Sequence, residues 1–144
     1  MIGLINRIKL IVRRMPFVDY IYELVLSLQT HQETGGEITT DGNLQTVYTE
    51  ASPLGVFKPR FFVINLDDMQ GGDTIELTFL YRIDPAGNLE QEQYDAPTGA
   101  DGGLANGNVL KRYELMDNRY GILIQIQRTA GVDRDYPWEF FEEA

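Results

Sequence analysis

The sequence predicts a mainly β protein, an eight-stranded antiparallel β-sandwich preceded by an N-terminal helical arm. Three observations lead there. From Thr74 to Ile83, Ile75, Leu77, Phe79, Tyr81 and Ile83 share one face, while Glu76, Thr78 and Arg82 share the other with Leu80 as the exception. Such period-two alternation, rich in aromatic and β-branched residues, is the signature of a half-buried strand. Seven further short segments lie between explicit turn signals. The chain also changes character abruptly near residue 31, from an apolar basic stretch to acidic strand-and-turn text.

The first 31 residues read as an arm. Leu4, Ile5, Ile8, Ile11, Val12 and Met15 recur at helical spacing, with Arg7, Lys9, Arg13 and Arg14 mostly on the opposite side, giving an amphipathic helix with a basic face. Pro16 ends or kinks it. The run Phe17 to Leu28, with Tyr20 and Leu24, has two readings. As a helix, its polar residues Asp19, Glu23 and Ser27 fall on one narrow stripe; as a strand, Val18, Tyr20, Tyr22, Leu24, Leu26 and Leu28 make one apolar face. Arg13 and Arg14 follow the first apolar run and no small-residue cleavage pattern appears, so the segment does not read as a signal peptide. Asp19 and Glu23 interrupt the second run, which is too short for a membrane span of roughly 20 apolar residues. What remains is a packing face for a neighbouring subunit or for the chain's own sandwich, or a helix lying on a membrane surface.

Residues 32–36 read as a glycine-bearing polar linker, and 37–144 as the sandwich domain. Strands are expected at Glu37 to Thr40, Leu44 to Glu50, Arg60 to Leu66, Thr74 to Ile83, Leu89 to Tyr94, Val109 to Leu115, Tyr120 to Thr129 and Tyr136 to Glu142. Between them stand Asp41-Gly42-Asn43, Ala51-Ser52-Pro53-Leu54-Gly55, Asp84-Pro85-Ala86-Gly87-Asn88, Asp117-Asn118 and Ala130-Gly131. Eight strands at this spacing imply two stacked antiparallel sheets, for which a jelly roll is the natural solution. Tyr120, Ile122, Ile124 and Ile126 point one way, and Tyr136, Trp138 and Phe140 place the only tryptophan inside. Phe61-Phe62-Val63-Ile64 is apolar on both faces, so this strand is expected to be covered twice.

At 144 residues the chain is long enough for a core without staples, and with no cysteine it has neither disulfides nor thiolate metal sites. The net charge of −10 is uneven. The arm carries four bases against two acids, and residues 32–144 carry eight against twenty. An acidic domain argues against nucleic acid as its partner.

The search for chemistry is short. His31 has no histidine or cysteine neighbours in the sequence and reads as a solvated linker residue. Asp67-Asp68, Asp101 and Asp133-Arg134-Asp135 raise a calcium idea, but no segment carries the spaced oxygen-ligand loop. Glu90 and Glu92 share a strand face, as expected by chance in so acidic a domain. Serine-based catalysis lacks a base, and no glycine loop precedes a helix as phosphate binding requires. The expectation is a protein that is not an enzyme and needs no cofactor. The stretch from Asp95 to Asn108 is a long loop without periodicity, and long loops in compact domains often carry contacts; Asp95, Asp101, Leu104 and Asn106 are its candidate contact residues.

One resemblance bears on function. Thr40-Asp41-Gly42 with Gln45-Thr46-Val47-Tyr48, Phe57-Lys58-Pro59-Arg60, Gly72-Asp73-Thr74-Ile75, Asn118-Arg119-Tyr120-Gly121, and Thr129-Ala130-Gly131 with Trp138-Glu139 stand in an order that resembles small jelly-roll and β-sandwich virion proteins of archaeal and bacterial viruses. The resemblance covers residues 38–144 and leaves the arm outside. It implies a structural component located in the virion, partnered by copies of itself and by other virion proteins, and it supplies no catalytic residues. Two other readings stand beside it: a carbohydrate- or ligand-binding module, and a peripheral membrane protein held by the first helix.

Overall fold

The described residues form eight strands: β1 (Gln32–Thr39), β2 (Gln45–Glu50), β3 (Lys58–Asn65), β4 (Thr74–Tyr81), β5 (Glu90–Asp95), β6 (Leu110–Glu114), β7 (Ile122–Ala130) and β8 (Asp135–Glu143). The computed structural model describes residues 32–53, 55–99 and 109–143. The expected helical arm, residues 1–31, lies outside the described residues. Every strand expected from the sequence is present, and its ends fall within two residues of expectation except at the start of β1. There the stretch 32–36, read as a linker, is already strand. The physical reason is close packing. A Cβ on Gly35 would stand 2.9 Å from the Trp138 carbonyl oxygen, so a residue that looks like linker composition is what lets β1 lie against β8.

The strands form two four-stranded antiparallel sheets, ordered β1-β8-β3-β6 and β2-β7-β4-β5. In the second sheet Leu77, Phe79 and Tyr81 of β4 stand opposite Ile126, Ile124 and Ile122 of β7. All six are buried, and they meet Phe62 and Ile64 of β3, Tyr113 of β6 and Tyr136 and Phe140 of β8 in one core between the sheets. Aromatic rings bridge the layers: Phe62 lies 5.8 Å from Phe79, Phe79 5.0 Å from Tyr113, and Tyr48 stacks at 3.9 Å on Phe140. Each fully buried side chain of this size contributes about 1.5–3 kcal/mol. That outweighs surface ion pairs such as Arg60–Asp117, worth at most about 1 kcal/mol each.

A register shift in β2 between Thr46 and Tyr48 acts as a β-bulge. It turns the chain so that the neighbours Val47 and Tyr48 both reach the core, which strict alternation would forbid. Two expectations about the core need correction. Ile83 is 76 % exposed, because β4 stops at Tyr81 and the Arg82 N–H then bonds the Gly121 carbonyl, taking the chain out of the ladder. Tyr120 lies ahead of β7 and is half-buried rather than part of its core face. In β3, Phe62 and Ile64 point into the core while Phe61 and Val63 are half-buried on the outer face, where the Arg112 guanidinium sits 4.9 Å over the Phe61 ring.

Candidate functional site

Three places gather polar chemistry, and one face is left apolar. At the end of the sandwich where β1 and β7 finish and β4 and β8 begin, Asp73 is a buried hub. Its Oδ2 accepts from the Arg134 Nε at 2.6 Å and the Gln70 N–H at 2.8 Å, and its Oδ1 accepts from the Val132 N–H at 3.2 Å. Arg134 is itself tied to the end of β1: its N–H donates to the Thr40 hydroxyl, and its carbonyl accepts from the Thr40 N–H. Gly131, at φ +86°, admits no side chain here, since a Cβ would run into the Asp73 carboxylate. Burial pushes the Asp73 carboxyl up, but the hydrogen bonds from Arg134, Gln70 and Val132 and the arginine charge outweigh it and hold the group below the ordinary carboxylate range.

The second cluster lies between the edge strands β5 and β6. Asp95 Oδ2 accepts from the Lys111 Nζ at 3.0 Å and the Tyr113 hydroxyl at 2.8 Å, which ties the rim of one sheet to the rim of the other. Burial and then the Asp95 charge push the Tyr113 hydroxyl far above its ordinary value. The Asp95 carboxyl is pushed up by burial but held below the ordinary range by the bonds from Tyr113 and Lys111, the lysine charge and the Ala96 N–H. Asp95, expected as a loop contact, is therefore the last residue of β5 and works as a staple between sheets. Replacing Asp95 with Ala leaves the buried Tyr113 hydroxyl without its acceptor. It should cost about 1–2 kcal/mol by urea denaturation at pH 7, a modest figure because Asp95 keeps about a third of its side chain in water. The wild-type advantage should fade as the pH falls below about 4, through the lowered folded value.

The third place is at the end of the sandwich opposite Asp73. Arg82, Arg119, Tyr120, Ser52, Pro53 and Pro85 line a cavity of about 210 Å³. Asn118 organises this end: it exchanges backbone hydrogen bonds with Phe57, and its Oδ1 accepts from the Gly121 N–H at 2.9 Å. Gly121 in turn accepts from the Arg82 N–H, so the positions of Arg82, Arg119 and Tyr120 are set by one short loop. The Arg119 guanidinium lies 5.9 Å from the Tyr120 ring centre. Neither arginine is in an ion pair among the described residues, and the Arg82 Nε is buried without a hydrogen-bond partner.

The apolar place is a groove of about 420 Å³ on the outer face of the β1-β8-β3-β6 sheet. Val63, Leu110 and Pro137 supply its apolar walls, Asn65 and Glu139 its polar edge. Leu110 is 62 % exposed. Pro137 gives no N–H to the ladder, although β8 is an inner strand. Phe61 and Val63, expected to lie under a second cover, are half-buried on this outer face.

Of the residues singled out in the sequence, Leu4, Ile5, Ile8, Ile11, Val12, Met15, Phe17, Tyr20, Leu24 and Leu28, the basic Arg7, Lys9, Arg13 and Arg14, His31, and the loop residues Asp101, Leu104 and Asn106 lie outside the described residues. The acids behind the calcium idea are spoken for or exposed: Asp133 pairs with Arg128 and Asp135 accepts from the Thr39 hydroxyl, while Asp67 and Asp68 face solvent. Among the described residues no group of three or more His, Asp or Glu side chains gathers as a metal ion would need. Glu90 and Glu92 are both exposed on β5. Asp73, Lys111, Tyr113 and Arg82 were not singled out in the sequence. The sequence marks Arg82 only as a polar-face residue of its strand, and its approach to Gly121 follows from the fold. Comparison of the chain with protein-family models, with curated proteins and with solved structures gives no match.

Proposed function

We propose that the chain is a non-enzymatic structural protein of a virion, folded as a jelly roll and assembling with copies of itself and with other virion proteins through residues 1–31 and its exposed sheet faces. The observation that carries this reading is the strand order. β1 neighbours β8, β2 neighbours β7, β3 neighbours β6 and β4 neighbours β5, so the eight described strands nest as one long hairpin. It is rolled so that successive pairs alternate between the two sheets. This is the arrangement of double-sheet jelly rolls, used by capsid domains and by lectins. The architecture alone does not choose between those uses. The half-open apolar groove on one sheet and the apolar residues at helical spacing in the sequence of residues 1–31 favour assembly, because apolar surface gains from being taken out of water by a partner.

The test is the solution mass of the full chain by light scattering, beside the double variant Ile8→Glu, Ile11→Glu. The expected result is a defined oligomer for the wild type and a monomer for the variant, with the emission of Trp138 unchanged. Two monomers, or two equal oligomers, would remove the arm from assembly. Flotation of the wild type alone with anionic lipid vesicles would favour the membrane-surface reading instead. The carbohydrate-binding reading is favoured by one observation, the cavity between Arg82 and Arg119.

A further inference from the structure

The geometry points to the Arg82–Arg119 cavity as a binding site for a small carboxylate-bearing ligand, an acidic sugar such as a uronate. The inference stands apart from the assembly reading, since a lattice subunit and a free module could each carry such a site. Four features support it. First, the chain carries a net charge of −10, yet both guanidiniums here are without carboxylate partners among the described residues. Elsewhere Arg60, Arg128 and Arg134 each face an aspartate, and Arg112 lies over the Phe61 ring. Second, the Arg82 Nε is a buried donor with no acceptor, and an unmet buried donor carries a desolvation cost that an arriving oxyanion relieves. The Nε and Nη edge of an arginine is the fork that matches a carboxylate with two parallel hydrogen bonds.

Third, the size is selective. At about 210 Å³ the cavity is smaller than the roughly 300–1,000 Å³ typical of sites for drug-sized ligands, and suits one charged group on a body of a single ring. Fourth, the walls are mixed. Pro53, Pro85 and the Tyr120 ring, the last beneath the Arg119 guanidinium, offer apolar surfaces to the C–H face of a sugar, and Ser52 offers a hydroxyl for its hydroxyl groups. A bare inorganic anion would use the arginines and leave those walls uncovered.

The experiment is calorimetric titration of the full chain at constant ionic strength with sodium glucuronate, glucose and sodium acetate, repeated on Arg82→Gln and Arg119→Gln. Both variants should keep the wild-type melting temperature, because neither guanidinium is in an ion pair among the described residues; Arg119→Gln, at an exposed position, guards against a folding defect in the first. The expected result is saturable binding of glucuronate that weakens about tenfold or more in each variant, with glucose silent and acetate much weaker. Absence of saturable glucuronate binding, equal binding in wild type and variants, or acetate matching glucuronate would each overturn the assignment.

Discussion

Replacing Asp73 with Asn is expected to destabilise the protein by about 2–4 kcal/mol at pH 7, measured by urea or thermal denaturation. The three groups that face this carboxylate, Arg134 Nε, Gln70 N–H and Val132 N–H, are all donors. An amide in its place must turn its own NH₂ toward at least one of them, and it leaves the arginine charge without a counterion. The estimate sits toward the low end for a broken buried pair because Arg134 keeps 26 % of its side chain in solvent. The pH dependence is a second check. The folded carboxyl lies below its unfolded value of about 3.9, so its stabilisation is fully present above that value and is lost as the pH falls through the folded one. The gap between wild type and Asp73→Asn should therefore hold from pH 7 to about 5 and close under more acid conditions. A gap that persists unchanged at pH 2 would mean that the carboxylate's charge is not what holds this end together.

The other large effect is expected at Phe62. Phe62→Ala should cost about 3–5 kcal/mol, a large fraction of the 5–15 kcal/mol typical of a domain. The ring is fully buried in β3 and meets Phe79 and Tyr113 at 5.8 and 6.3 Å and Trp138 at 6.1 Å, so its removal leaves a cavity that no single neighbour can fill. Equilibrium denaturation followed by Trp138 emission reads both the loss of stability and the change beside the indole. Phe61→Ala, one residue away but on the outer face, should cost far less, because there the ring loses the Arg112 stacking and half-buried contacts only. Equal costs at the two positions would contradict the assigned strand faces.

What could be read in the sequence was whatever repeats locally. β4 and β7 announce themselves, because alternate burial of Ile75, Leu77, Phe79 and Tyr81 against Ile122, Ile124 and Ile126 is the same period that writes the pattern. β5 was legible for a different reason: Glu90 to Gln93 is polar on both sides, and the turn residues before it mark the strand. β1 was read short because its two glycines serve the approach of Trp138, and glycine for close approach looks the same as glycine for a linker. The bulge that sends both Val47 and Tyr48 inward leaves no trace in composition. Of the clusters, Asp95 stood out only as the head of a long loop. Its partners Lys111 and Tyr113 lie 16 and 18 residues on, too far for local spacing to pair them. Asp73 read as turn punctuation, and its arginine is 61 residues away. Long-range partnership of that kind follows from strand order, and strand order does not follow from strand count.

The nesting of the strand pairs also sets a timetable for synthesis. β4 and β5 are the innermost pair and can close as soon as Asp95 is made, whereas β1 has a single neighbour in its sheet, β8, the last of the described strands to be made. The first of the described strands to be made is therefore the last to be paired. Contacts of such long sequence separation are slow to form. A chain that lacks β8 would therefore leave β1 with no strand to pair with in its sheet.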